Sequence, residues 1–178
     1  MLWFVMDLKE QIRQQLEENK KSFLQHIQDA QLDGCVLTHI GLHPHTLNST
    51  KMAFLKTKDE LMLEIKEKAC YTDNPMMEHA STGAYYFSRG DYMKSCFKET
   101  IERDINYNGE YYVTLSYNLM VEKNLRVGFY DTEFVTVFGT PEETESFEAW
   151  FKILTSGQVK CEEDALECYR YWSRYHER

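Results

Sequence analysis

The chain has no basic excess, no cysteines at metal or redox spacing and no long apolar run, and each absence removes a class of function. Its 20 Lys and Arg stand against 29 Asp and Glu, for a formal net charge of −9. Proteins that hold nucleic acid through its phosphates usually carry a basic excess, so a sequence-independent nucleic-acid surface is excluded, although an acidic whole can still enclose a basic pocket. The five cysteines, Cys35, Cys70, Cys96, Cys161 and Cys168, include no Cys-x-x-Cys pair, and full pairing would leave one over. Reduced cytosolic thiols are expected. The apolar opening Met1-Leu2-Trp3-Phe4-Val5-Met6 has no basic residues before it and meets Asp7 short of a signal-peptide core. No segment approaches a membrane span. A soluble, cytoplasmic protein with neither nucleic-acid nor membrane partners is expected. Internal repeats and low-complexity segments are also missing.

What is present suits one substantial core, since 178 residues with 43% hydrophobic and 14% aromatic content can bury one. The chain is expected to divide into an N-terminal helical segment (1–22), a central domain (23–155) and a C-terminal helix (156–178). Within 8–29, apolar residues at Leu8, Ile12, Leu16, Phe23, Leu24 and Ile27 have helical spacing, with a break near 19–22. Asp33-Gly34 punctuates, and 35–40 is a short apolar run suited to a buried strand. Residues 51–55 and 61–66 read as a β-hairpin around the polar turn 56–60, and 83–88 as a third strand. Met93, Phe97 and Ile101 lie at intervals of four on one helical face, with Tyr92 and Cys96 beside them. Asn108 is expected to cap a further helix that has Glu110 in its first turn and buries Tyr112, Leu115 and Leu119. Strands are expected at 126–130 and 133–138. Thr140-Pro141-Glu142-Glu143 then has a Thr cap, Pro at the first helical position and a capping-box Glu. A final helix over 161–175 lines up Cys161, Ala165, Cys168 and Trp172.

Several groups of residues admit a functional and a structural reading. Glu67-Lys68 puts a carboxylate and an ammonium at the end of a strand, where open α/β folds bind ligands, or else is a solvated strand end. Ser81-Thr82-Gly83 lets the backbone approach a ligand and offer an N–H, or is a turn before the aromatic strand Tyr85-Tyr86-Phe87. Glu110 suits a helix N-terminus with or without a ligand, and one of Tyr111 and Tyr112 is expected to face the core. His39, His43 and His45 with Cys35 nearby invite a zinc reading, although the spacing fits no familiar structural site.

In order and spacing, Glu67-Lys68, Ser81-Thr82-Gly83 with its aromatic strand, Asn108-Gly109-Glu110 and Phe138-Gly139-Thr140-Pro141 resemble the C-terminal, sugar-binding half of bacterial sugar-phosphate nucleotidyltransferases. These enzymes couple a sugar 1-phosphate to a nucleoside triphosphate. The resemblance covers approximately residues 23–154, and the segment from Thr38 to His45 is similar to the Thr-x-x-Gly-x-His-Pro-His loop of one subgroup. It implies an α/β chain with a partial nucleotidyltransferase fold, GT-A-like and Rossmann-like, in which helices cover a mixed sheet. It also implies that Lys68 neutralises phosphate, that Glu67 takes sugar hydroxyls or holds the Lys, that Thr82 and Gly83 lie against the sugar ring and that Glu110 holds hydroxyls. His43-Pro44-His45 would then lie in a loop near the substrate or a subunit contact.

The departures from the family are equally specific. Nothing in the first forty residues resembles the family's Gly-rich phosphate loop, so the nucleotide-binding half is expected to be absent and the chain alone to lack nucleotidyl transfer. The family holds Mg2+ with Asp residues. The position just before Gly-Thr-Pro carries Val137-Phe138 here, as some members of the His-Pro-His subgroup carry an aromatic, and Asp7 is a loose match to the other. Two functions follow as expectations. One is a partial or split enzyme that provides the sugar 1-phosphate site beside a separate nucleotide-binding polypeptide. The other is a catalytically inactive module that binds a sugar phosphate or nucleotide sugar. A homo-oligomer, or else the N-terminal segment packed over the sheet, is expected, because a lone half would expose apolar strand edges.

Overall fold

The computed structural model describes residues 22–40, 51–132, 135, 140–142, 144–145 and 148. The chain forms two compact units, Phe23–Val135 and, separately, Met1–Ser22 with Thr136–Arg178. The first carries α1 (Phe23–Ala30), β1 (Gly34–His39), β2 (Ala53–Lys58), β3 (Leu61–Glu67), a 3-10 turn (Pro75–Met77), β4 (His79–Phe87), α2 (Gly90–Glu102), α3 (Val113–Glu122) and β5 (Val127–Asp131).

The three helices stop in the same way. Gln31, Asp104 and Asn124 each adopt positive φ just past a helix. In each case the next residue's N–H reaches back five positions: Leu32 to the Ile27 carbonyl at 3.1 Å, Ile105 to Thr100 at 2.9 Å, and Leu125 to Met120 at 3.0 Å. These are Schellman ends built on Gln, Asp and Asn where glycine is the usual choice.

The strands pair in the order β1-β4-β2-β3-β5 and close into a barrel. Only β1 and β5 run parallel; the other pairings are antiparallel. The expected mixed sheet and helices are present, and the sheet closes into a barrel, which does not bear out its Rossmann-like form. Closure rests on one pair, Leu61 opposite Gly128. A Cβ at position 128 would lie 2.6 Å from a methyl carbon of Leu32 and 3.3 Å from the Glu60 carbonyl oxygen, so glycine is what lets the hairpin end approach β5. Further along, β3 leaves β5, and α3 covers its outer edge. The Ile65 N–H donates to Asn118 Oδ1 and Asn118 Nδ2 donates to the Ile65 carbonyl, both at 2.9 Å. The expectation of bare apolar edges therefore loses its basis among the described strands.

The main core joins Val36, Leu55, Met62, Ile65 and Val127 of the sheet to Tyr117, Leu119 and Met120 of α3 and Cys96 of α2. On the other face, α1 and the turn after it set Ile27 and Leu32 against Cys35, with Tyr86 and Tyr130 alongside. Burial pushes the Cys35 thiol up to about 12, so it stays protonated near neutral pH.

Several local expectations are corrected. The hairpin turn is only Asp59-Glu60, because Lys56, Thr57 and Lys58 pair as strand. The third strand starts four residues early, at His79. The buried residues of α2 are Cys96 and Thr100, while Ile101 is exposed. No helix starts at Asn108. Asn108 and Gly109 both have positive φ in a tight turn that pairs Tyr107 with Glu110, the geometry Asn-Gly favours, and α3 begins only at Val113. The Thr140 start agrees with its helical reading: 141–142, 144–145 and 148 are helical, and the Thr144 N–H donates to the Thr140 carbonyl at 3.2 Å. The expected elements at 8–21, 133–138 and 161–175 fall mostly or wholly outside the described residues. Among the described residues no helix is long and apolar enough to cross a membrane.

If Gly128 is the closure point, Gly128→Ala is expected to lower stability by about 1 to 3 kcal/mol, the usual range for overpacking a filled site. Urea unfolding measures it, and wild-type stability in the variant would show that β5 and the hairpin end do not meet there.

Candidate functional site

Glu67 and Lys68 lie where β3 stops. Glu67 is buried, only 7% exposed, which removes the reading as a solvated strand end. Its Oε2 accepts a 2.6 Å hydrogen bond from the hydroxyl of Thr114, in the first turn of α3. Lys68 has φ +52, so the chain swings away at this residue while its N–H still donates to the Met52 carbonyl at 3.0 Å. Its ammonium donates to the Tyr112 hydroxyl at 2.6 Å and lies 4.8 Å and 5.2 Å from the ring centres of Tyr112 and Tyr107. The Tyr112 hydroxyl in turn donates to Glu110. The hydrogen bond to Tyr112, aided by the negative charges of Glu110 and Glu67, holds the Lys68 ammonium above its ordinary range. It is therefore a fixed positive charge near neutral pH.

Glu110 reaches this cluster from the Asn108-Gly109 turn. The helix-dipole argument for it is withdrawn, because α3 starts three residues later. Tyr111 and Tyr112 are also corrected. Tyr111 is half exposed and bonds Asp104 at 2.7 Å, while Tyr112 is the link between Lys68 and Glu110, so neither is a core residue.

Thr82 and Gly83 occupy a bulge. Between the pairs Val36 with Tyr85 and Thr38 with Ser81, β1 advances two residues and β4 four. The additional residues push Gly83 outward at φ +83, with no atom within 4 Å of where a Cβ would stand. Conformation, not crowding, selects glycine here, and bulges commonly redirect backbone near binding sites. The Thr82 hydroxyl is turned inward to the Leu37 carbonyl at 3.1 Å, and the Gly83 N–H donates to Ser81 Oγ at 3.2 Å. Ser81 Oγ is also 3.2 Å from the Tyr85 hydroxyl, which burial holds above its ordinary range. Ser81 thus ties the bulge to Tyr85, and the bulge lies two strands across the sheet from the Lys68 cluster.

A buried carboxylate fixes the connection between them. Glu78 accepts from the Tyr71 N–H at 2.8 Å and from the Thr72 N–H and hydroxyl at 2.6 Å each, tying the loop after Lys68 to the residue before β4. Sequence reasoning missed Glu78, Tyr112, Thr114 and Tyr85. The spacing of Tyr112 and Thr114 from Glu110 carries a usable signal once the Asn-Gly turn is recognised, because both then stand at a helix start.

Among the described residues no group of three or more His, Cys, Asp or Glu could hold a metal ion. Cys35 is buried against α1, and its raised pKa further disfavours a zinc role. Asp7, His43 and His45 lie outside the described residues.

No protein-family model matches the chain, and no curated protein matches it. A solved structure does. The nucleoside-diphosphate-sugar pyrophosphorylase from Vibrio cholerae RC9 is similar with a TM-score of 0.54 and 22% identity, over 67% of this chain and 48% of that one. The fold is like that of part of this pyrophosphorylase. This chain spans about half the length of that pyrophosphorylase, and at such identity the likeness is one of fold. A CMP:2-keto-3-deoxy-manno-octonic acid synthetase complexed with CTP is more distant, with a TM-score of 0.47 and 14% identity over 73% of this chain and 54% of that one, and carries no argument.

Thr114→Val removes the donor to a buried carboxylate at constant shape and is expected to destabilise by about 1.5 to 3 kcal/mol, as for hydrogen bonds to charged groups. Thr114→Ser should restore most of the loss. Equal unfolding midpoints for all three proteins would show that Glu67 does not depend on α3.

Proposed function

We propose that this chain provides the sugar 1-phosphate site of a nucleotidyltransferase that makes nucleotide sugars. The observation that carries this reading is the Lys68 ammonium, held between two tyrosine rings and flanked by Glu67 and Glu110, with the Gly83 bulge two strands across the sheet. A fixed ammonium supplies a point charge to a phosphate. Carboxylates on either side accept sugar hydroxyls, and the open backbone at Gly83 lets a ring lie close. The polar and aromatic mixture also suits a sugar, whose hydroxyls need acceptors and whose C–H faces need apolar cover.

In the transfer reaction a phosphate oxygen of the sugar 1-phosphate attacks the α-phosphorus of a nucleoside triphosphate. One P–O bond forms, another breaks and pyrophosphate leaves. The contribution of this chain is to orient the attacking phosphate and offset its charge, with no covalent intermediate on the protein. Mg2+ is the cofactor this chemistry implies. The carboxylates of the site are engaged with Thr114 and Tyr112 beside an ammonium, which is not a ligand set for a hard cation, so Mg2+ has no place among the described residues. A nucleotide-binding polypeptide segment outside the described site would complete the reaction.

Wild type and Lys68→Ala should be titrated with hexose 1-phosphates by ligand-observed NMR. Wild type is expected to bind, and the variant to lose about 1.5 to 3 kcal/mol, enough to remove a millimolar site from detection. Equal affinity in the two proteins would refute the role of Lys68.

A further inference from the structure

A second polar group lies on the same sheet and is unused by the reading above. Asp131 ends β5, Thr38 lies opposite it on β1, and His79 opens β4. Asp131 Oδ1 accepts from the Thr38 hydroxyl at 2.7 Å and is 2.9 Å from His79 Nδ1. An ionised carboxylate only accepts, so Nδ1 carries a proton, and in the neutral imidazole the lone pair is then on Nε2. The His79 ring packs on Phe129 at 4.1 Å and its side chain is 18% exposed. Nε2 makes no hydrogen bond to a described residue and is not among the buried polar atoms. A histidine held at one nitrogen by a carboxylate and open at the other is the arrangement by which proteins aim an imidazole at a ligand.

The register places this group beside the proposed sugar site. Thr38 pairs with both Asp131 and Ser81, and His79 is two residues from Ser81, so the two share a strand face. Across the sheet, Phe54 pairs with Ala80 and Ala53 with Glu67, which sets Glu67 two strands from Ser81. At about 4.8 Å per strand that separation is about 10 Å; His79 and Lys68 are two strands apart and three residues displaced, about 14 Å between backbones, a gap that their two side chains and one sugar phosphate can span.

Resting on the sugar-phosphate reading, we propose that His79 is a second ligand contact, its Nε2 accepting a hydrogen bond from a hydroxyl of the sugar whose phosphate meets Lys68. Asp131 and Thr38 are positioning residues that fix the tautomer. A site with an acceptor at this point discriminates among sugars by whether they present a hydroxyl there.

His79→Asn separates this role from a structural one, because the Asn amide can still donate to Asp131 while the acceptor at Nε2 is gone. Wild type, His79→Asn and Lys68→Ala are titrated with glucose, galactose and mannose 1-phosphates, and the histidine 15N spectrum of wild type is followed during titration. The expected result is a His79 protonated at Nδ1 whose Nε2 signal moves on binding, and a roughly tenfold weaker affinity in His79→Asn with an unchanged melting temperature. Wild-type affinity in His79→Asn alongside lost binding in Lys68→Ala would overturn the proposal and leave the sugar-phosphate reading standing. A His79 protonated at Nε2 alone would overturn it too. Binding of none of these sugar phosphates by wild type would overturn both.

Discussion

The site depends on how the side-chain amide of Asn118 pairs with the backbone of Ile65. Both polar groups of Ile65 point away from β2, and Asn118 meets them as a neighbouring strand would, with two 2.9 Å bonds. This fixes the register between α3 and β3. Thr114 lies four residues before Asn118, about 6 Å along a helix, and Glu67 lies two residues after Ile65, about 6.6 Å along a strand. Helix and strand run in opposite directions, so the same pairing that satisfies Ile65 delivers the Thr114 hydroxyl to Glu67. Tyr112, just before the helix, then meets Lys68, just past the strand. One amide thus covers an edge that would otherwise carry unsatisfied backbone and assembles half of the site.

Backbone conformation supplies the rest. Lys68 and Gly83 both have positive φ, and each marks a point where the chain leaves the ladder to present a group. For lysine this conformation is unfavourable, and it persists because the bond to Met52 and the cage around the ammonium determine it from both ends. Glu78 holds the intervening loop, so the two departures are not independent. Gly128 acts at the opposite end of β3, where the strand meets β5; past that pair, Asn118 covers the edge.

The hairpin, the first strand and both long helices were legible from apolar periodicity, although in α2 the stripe that set the period is only partly buried and Ile101 is exposed. The Glu67-Lys68 pair and the Thr82-Gly83 segment were legible as motifs, and the structure links Lys68 to Glu110 through Tyr112. The position of Glu110 was misread because Asn108 is equally good as a helix cap and as a left-handed turn residue; Gly109 after it decides for the turn. The Schellman ends at Gln31 and Asp104 gave no signal, since neither residue is a usual helix stop. Closure of the barrel was not readable, because it depends on one glycine and on which leucine meets it. Asn118, Glu78 and Asp131 were overlooked for a common reason: a polar residue serving a distant backbone or side chain looks like any solvated residue in sequence.

Hydrogen exchange at the Ile65 amide tests the register claim most directly. In wild type this amide has no strand partner on its outer side, so protection must come from Asn118. In Asn118→Ala the Ile65 amide is expected to exchange rapidly while that of Lys66, which pairs with Phe54 on the inner side, stays protected, and the Tyr112 ring signals move as its contact with Lys68 loosens. An Ile65 amide equally protected in the variant, with unmoved Tyr112 signals, would contradict the account.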